Sequence, residues 1–275
     1  GCTLSGSQTV GVDPKPNALI NVTAGSATIC AGKPVTLTAT GGGTYAWSTG
    51  ANTASITVNP TTTTTYTVTV TSAIGCTATA TSTVTVNPLP NAAITTVNPI
   101  CAGQSVSMTA SGGGTYLWST NATTATITVT PAVTTTYTVT VTSALGCTAT
   151  ASRTVTVNPL PSISINNVNP ICAGQSATLT ATSSGSYLWS TGATSASIFV
   201  IPASTTTYTV TVTSSAGCTA TASRTVTVNP LPAAAIANVA PICVGQSATL
   251  TASGGGTYLW NTSATTASIT VSPAS

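Results

Sequence analysis

Thr135-Thr-Tyr-Thr-Val-Thr-Val-Thr-Ser-Ala-Leu-Gly-Cys-Thr-Ala-Thr-Ala-Ser-Arg-Thr-Val-Thr-Val157 alternates apolar and hydroxyl residues on both sides of Ser-Ala-Leu-Gly146. Period-2 alternation puts Tyr137, Val139 and Val141 on one face of a strand and threonines on the other, the pattern of a half-buried sheet. β-Branched Val, Ile and Thr favour strands and resist helix interiors, so no helical reading competes. A glycine late in a short loop supplies the positive φ of a hairpin turn, so two strands are expected to meet across residues 143–146.

The stretch is one of several copies. Cys30, Cys101, Cys172 and Cys243 recur at a constant spacing of 71 residues, as do Cys76, Cys147 and Cys218, with Trp47, Trp118, Trp189 and Trp260 in step. A fixed period of that size marks a tandem array of one small domain. In the second copy, strands are expected near 92–97, 105–110, 116–118, 125–130, 137–142 and 148–157. Short strands, regular turns and a central tryptophan predict an all-β chain of tandem immunoglobulin-like sandwiches in an extended rod. The expected domains are 15–88, 89–159 and 160–230. Residues 1–14 read as the last strand of a preceding domain and 231–275 as a partial one lacking two strands, so the sequence is expected to be a window on a longer array. The first copy also carries three extra residues between Ile20 and Cys30.

The pattern Ile100-Cys-Ala-Gly-Gln-Ser105, then Gly112-Gly-Gly-Thr-Tyr-x-Trp-Ser119, then Thr134-Thr-Thr-Tyr-Thr-Val-Thr-Val-Thr-Ser-x-x-Gly-Cys147 resembles the Ig-like and PKD-like repeats of giant Bacteroidota cell-surface proteins, of adhesin or stalk type. It covers the whole chain. The resemblance implies secretion to the cell surface. The acidic Trp-Asp-x-Gly-Asp loop of PKD-type repeats is absent.

Composition removes most chemistry. Charged residues are 2% of the chain, with Lys15, Lys33, Arg153 and Arg224 against the single acid Asp13, and there is no histidine. One carboxylate cannot form the pair a glycosidase needs, and a Ser-His-Asp arrangement needs histidine, so an enzyme is not expected. Calcium wants several oxygen ligands with carboxylates among them. Zinc by cysteine would need four thiolates to converge, and there is no close C-x-x-C pair. No cofactor or metal is therefore expected. Four scattered cations cannot hold a phosphate backbone, which excludes nucleic acid. No apolar run approaches the ~20 residues that span a bilayer, so this segment is not expected to insert in a membrane.

Eight cysteines in a secreted repeat read as a disulfide framework. Two pairings stand open. Within a unit, Cys30 would meet Cys76, Cys101 would meet Cys147, and Cys172 would meet Cys218. Across a joint, Cys30 would meet Cys147, and Cys101 would meet Cys218. Topology favours the second, because the turn after the first strand and the turn before the last lie at opposite ends of a sandwich. Strands of seven to ten residues hold those ends roughly 20 to 35 Å apart, whereas a disulfide tolerates about 4.4 to 6.8 Å between Cα atoms.

Trp47, Trp118, Trp189 and Trp260, with Tyr66, Tyr137 and Tyr208, are expected in the sandwich cores. A sugar-stacking platform is the weaker reading of the tryptophans. The Val-Asn-Pro-Leu-Pro linkers are semi-rigid, since proline fixes φ. Outward threonines, and the clusters Thr61, Thr62, Thr63, Thr64, Thr65 and Thr134, Thr135, Thr136, carry two readings: plain β-propensity with solubility, or O-glycosylation. The expected partners are neighbouring repeats, other copies in a fibril, and glycans, covalent or as ligands.

Overall fold

The computed structural model describes residues 1–274. The chain is all-β, with no helix among those residues, and no strand precedes Leu19. It divides into two compact units, Gly1–Asn158 and Pro159–Ser275.

The first unit holds two sandwiches. The first sandwich runs β1 (Leu19–Ala24), β2 (Thr28–Cys30), β3 (Val35–Thr40), β4 (Thr44–Trp47), β5 (Ser55–Val58), β6 (Thr64–Thr71) and β7 (Thr77–Asn87). One sheet has the order β1-β3-β5 and the other β2-β7-β6-β4. The second sandwich runs β8 (Ala93–Ile94), β9 (Ile100–Cys101), β10 (Val106–Ser111), β11 (Thr115–Trp118), β12 (Thr126–Val129), β13 (Thr135–Thr142), β14 (Thr148–Val155) and β15 (Val157–Asn158). It repeats the layout as β12-β10-β8 against β11-β13-β14, with β15-β9 alongside.

The second unit holds β16 (Ser164–Ile165), β17 (Ile171–Cys172), β18 (Ala177–Thr182), β19 (Ser186–Trp189), β20 (Ser197–Val200), β21 (Thr206–Thr213), β22 (Thr219–Val226) and β23 (Val228–Asn229), arranged in the same way. A fourth copy follows as β24 (Ala235–Ile236), β25 (Ala248–Ser253) and β26 (Ser268–Val271) in a single sheet. The layout is that of an immunoglobulin-like sandwich, two antiparallel sheets with the tryptophan strand beside the last hairpin.

The expected first strand, 92–97 in the second copy, is split. Only Ala93–Ile94 pairs with β10, and the chain then crosses to the other sheet, where Ile100–Cys101 runs parallel to Val157–Asn158. Pro99, which has no N–H to offer a ladder, sits at the crossing. The expected last strand, 148–157, is likewise interrupted at Thr156. In the first copy the extra residues let β1 extend over six residues, with a register shift between Val22 and Ala24.

Each core lies between the sheets. In the second sandwich Ile94, Met108, Trp118, Ile127, Val139, Val141 and Val155 form one cluster, and the first and third sandwiches repeat it around Trp47 and Trp189. Arg153 occupies an inward position on β14, opposite Tyr137. Its Nη2 donates to the Ile94 carbonyl at 3.1 Å, and Arg224 does the same to Ile165 at 2.9 Å. These arginines tie a two-residue first strand to the opposite sheet. The first copy, with its longer β1, carries Ser82 at that place.

The glycine triplets turn the chain from the second strand to the tryptophan strand. In the first three copies the tightest approach is at the third glycine: a Cβ on Gly114, whose φ is 141°, would strike the Thr142 carbonyl oxygen, and Gly185 meets Thr213 in the same way. The third copy replaces the first two glycines by serines and keeps the third. We expect Gly114→Ala to destabilise the second sandwich by about 2–3 kcal/mol, from backbone strain plus collision. Thermal melting of that domain checks it, and an unchanged melting point would contradict the close approach.

Candidate functional site

The chemistry-bearing residues that the fold brings together sit at the joint inside the first unit. Parallel pairing of β2 with β7 places Cys30 in register with Asn87, at the exit of the first sandwich. Ala31 N donates to the Asn87 carbonyl at 3.0 Å, holding the turn that follows Cys30 against the same residue. Pro88-Leu89-Pro90 then leads into the second sandwich.

Cys147 is delivered by the turn of the last hairpin in that second sandwich. Ser143 N donates to the Cys147 carbonyl at 2.8 Å, Gly146 N donates to the Ser143 carbonyl at 2.9 Å, and Cys147 N donates to Ser143 Oγ at 3.2 Å. Gly146 takes the left-handed φ of 77° that this loop requires. Cys147 is bonded to Cys30 with a Cα separation of 5.5 Å. Its sulfur lies 3.9 Å from the Asn87 carbonyl oxygen. A disulfide sulfur has no proton to donate, so this is a packing contact. Cys147 is 1% exposed.

The disulfide therefore joins the exit end of one sandwich to the last hairpin of the next. Cys101 and Cys218 are also disulfide-bonded. Cys76 and Cys172 are unbonded, as are Cys2 and Cys243, so the within-unit pairings of Cys30 with Cys76, of Cys172 with Cys218 and of Cys101 with Cys147 are not made. The physical reason is the distance between the two ends of a sandwich, which a disulfide cannot bridge.

Trp47, Trp118 and Trp189 are buried, as are Tyr66, Tyr137 and Tyr208. Each tryptophan Nε1 donates to a carbonyl six residues on, Trp118 to Thr124 at 2.9 Å and Trp189 to Ser195 at 2.9 Å. Their faces are closed to a sugar ring. Trp260 departs from this: it is half-buried, because no strand covers it among the described residues.

The threonine clusters are engaged with their own backbone. Thr64 Oγ1 donates to the Thr62 carbonyl at 2.7 Å, and Thr135 Oγ1 donates to Val133 at 2.7 Å. Val86 N donates to Thr63 Oγ1 and Val157 N to Thr134 Oγ1, both at 3.0 Å. Thr65 pairs with Thr83 at 2.9 Å and Thr136 with Thr154 at 2.8 Å, as rungs of hydroxyl ladders across the sheet. A sugar on Thr64 or Thr135 would displace a turn-closing donor.

No protein-family model matches the chain, and no curated protein matches it. The chain is similar, at low identity, to several solved structures. A Ca2+-stabilized adhesin that helps an Antarctic bacterium reach out and bind ice is 16% identical, over 88% of this chain and 83% of that one, with a TM-score of 0.31. The insect immune protein hemolin is 13% identical, over 77% and 76%, with a TM-score of 0.31. Immunoglobulin domains 1-5 of Sidekick-1 are 12% identical over 79% of this chain, with a TM-score of 0.25, and this chain spans 60% of that one. Likeness at this level is a likeness of strand type and says nothing of the task performed.

Proposed function

We propose that the chain is a tension-carrying element of an extracellular stalk or fibril, built from tandem Ig-like domains and locked at its joints. One observation carries the reading: the Cys30–Cys147 bond crosses from one sandwich to the next instead of stapling either. A bond that serves folding closes a loop within a domain, and one that serves the array closes the joint. Persistent disulfides belong to oxidising compartments, which supports a position outside the cytosol and at the cell surface. O-glycans, where present on the clusters, fall on Thr61 and Thr62, since the neighbouring hydroxyls already close turns or pair across strands. Immuno-electron microscopy of intact producing cells tests the reading. Labelled surface filaments are expected, and label confined to the cell interior would overturn it.

A second reading, adhesion, is favoured by one departure from the repeat. Phe199 and Ile201 on the outer face beside β20 are 67% and 60% exposed, where the other copies carry Thr57 and Asn59, Thr128 and Thr130, Thr270 and Ser272. Exposed apolar side chains in an otherwise hydroxylated face suit contact with a partner. If the chain adheres through this patch, Phe199→Thr lowers retention of the purified chain on its target surface several-fold and leaves its melting point unchanged. Equal retention of both proteins would remove the patch from consideration.

A further inference from the structure

Two hydroxyl rungs are replaced in one copy. On the outer face of the first sheet, Thr36 pairs with Thr57 at 3.0 Å in the first sandwich, Ser107 with Thr128 and Ser105 with Thr130 at 2.8 Å in the second, and Ser247 with Ser272 at 2.8 Å in the fourth. The third sandwich keeps one side of both rungs, Ser176 and Thr178. It sets Phe199 opposite Thr178, with Ile201 next on that face. Phe199 is the one phenylalanine of the chain. This copy has its strands from β16 to β23 and a closed core around Trp189, so the exposure of Phe199 and Ile201 belongs to a finished domain.

Both side chains stand on a sheet edge. β20 is the terminal strand of the order β16-β18-β20. Ala181 N donates to the Ala196 carbonyl at 2.9 Å, and alternate residues of an antiparallel strand turn their backbone groups to the same side. Ile198 and Val200 therefore bond inward to β18, and Ser197, Phe199 and Ile201 turn N–H and C=O outward. Ser195 Oγ donates to the Ser197 carbonyl at 2.5 Å, which closes one outward group and leaves those of Phe199 and Ile201 to meet a partner. Pro202 falls on the inward parity and takes no donor from the outer edge. Natural sheets blunt an open edge with charge, most often Lys. Residues 195–203 hold no ionisable side chain.

We propose that this edge pairs with the same edge of a second copy of the chain, antiparallel about a two-fold axis through Val200. In that register Phe199 of each chain lies opposite Ile201 of the other, and each N–H donates to the carbonyl it faces. Each phenyl ring packs on an isoleucine across the pair, an aromatic and β-branched combination that stabilises antiparallel sheets. Self-complementarity selects the occupant, because the two apolar residues are two apart and a two-fold rotation brings each onto the other. Charge selects no other, since nothing in residues 195–203 recruits a partner of opposite sign or repels a copy. An edge this short buries less than the ~1,200 Å² of a stable interface, so the pair is expected only at high local concentration, as between neighbouring chains of a fibril. The proposal rests on the contact reading of Phe199, names its partner, and does not depend on the tension-carrying one.

The test is sedimentation velocity of the full chain, with Cys2, Cys76, Cys172 and Cys243 alkylated so that no mixed disulfide counts as a pair. The mean mass is expected to climb from the 26.7 kDa of one chain toward twice that between about 1 μM and about 1 mM. Amide exchange at the upper concentration should slow several-fold at Phe199 and Ile201 and stay unchanged at Thr57 and Thr128, which occupy the place of Phe199 in the other sandwiches. Phe199→Thr with Ile201→Thr, which restores the residues of the second copy, should stay at the mass of one chain and keep its melting point. If that variant melts early, Phe199→Lys, a single exposed change, decides in its place. A single-chain mass at every concentration, undiminished association of the variant, or slowed exchange confined to residues outside 197–201 would overturn the proposal. A chain that stays single, yet loses retention on a target surface with Phe199→Thr, would overturn self-pairing and leave the adhesive reading standing.

Discussion

Complete reduction is expected to lengthen the stretched chain by at least about 400 Å. Cys30 and Cys147 are 117 residues apart in sequence and 5.5 Å apart in space. While the bond stands, end-to-end tension passes through sulfur and cannot draw out the residues between them. Those residues include β3 to β13, hence most of both cores of the first unit. Once reduced and unfolded they extend at ~3.3 to 3.6 Å per residue. Force spectroscopy on the oxidised and reduced chain measures the difference directly. Equal contour lengths would show that the bond does not carry load, and the tension-carrying proposal would fall with it. Reduction alone, without force, should leave both sandwiches folded, because each keeps its own cluster of buried residues.

Trp118→Ala is expected to cost the second sandwich about 3–5 kcal/mol, the range for removing a large aromatic from a packed core. Trp118 is 2% exposed, lies opposite Val139, and donates to Thr124, so the substitution leaves both a void and an unmatched carbonyl. Whole domains are stable by only ~5 to 15 kcal/mol, and small ones sit at the lower end. The melting transition of that domain should drop by roughly 15 to 30 °C. Calorimetry is the measurement, and a shift of only a few degrees would mean that the tryptophan is not the keystone of the core.

Much of this architecture is legible in the residues. Alternation in Thr135–Thr142 and Thr148–Val155 defines the last hairpin, because period 2 admits one face only. Opposite-end placement of the two turns favours the bond across the joint. Three features escape a reading of the sequence. The split of the first strand depends on where the chain changes sheets, and Asn98-Pro99 is the available signal. Arg153 shares its parity with Val155 and Val157, which marks it as inward, yet a cation in that row has meaning only once Ile94 is seen to offer its carbonyl. The clustered threonines look like plain surface, whereas half their work is internal: a hydroxyl that closes a turn looks the same in sequence as one that faces water.

The hydroxyl ladders have a further consequence. Rungs such as Thr38 with Ser55, at 2.8 Å, and Thr109 with Thr126, at 2.9 Å, do across the sheets what ion pairs do on most protein surfaces. Ion pairs weaken as dissolved salt screens them, and carboxylates and histidines make stability depend on pH. With one acid and no histidine, this surface has almost nothing for salt to screen or acid to titrate. The stability of such a chain is expected to change little between fresh water, brine and mildly acidic water.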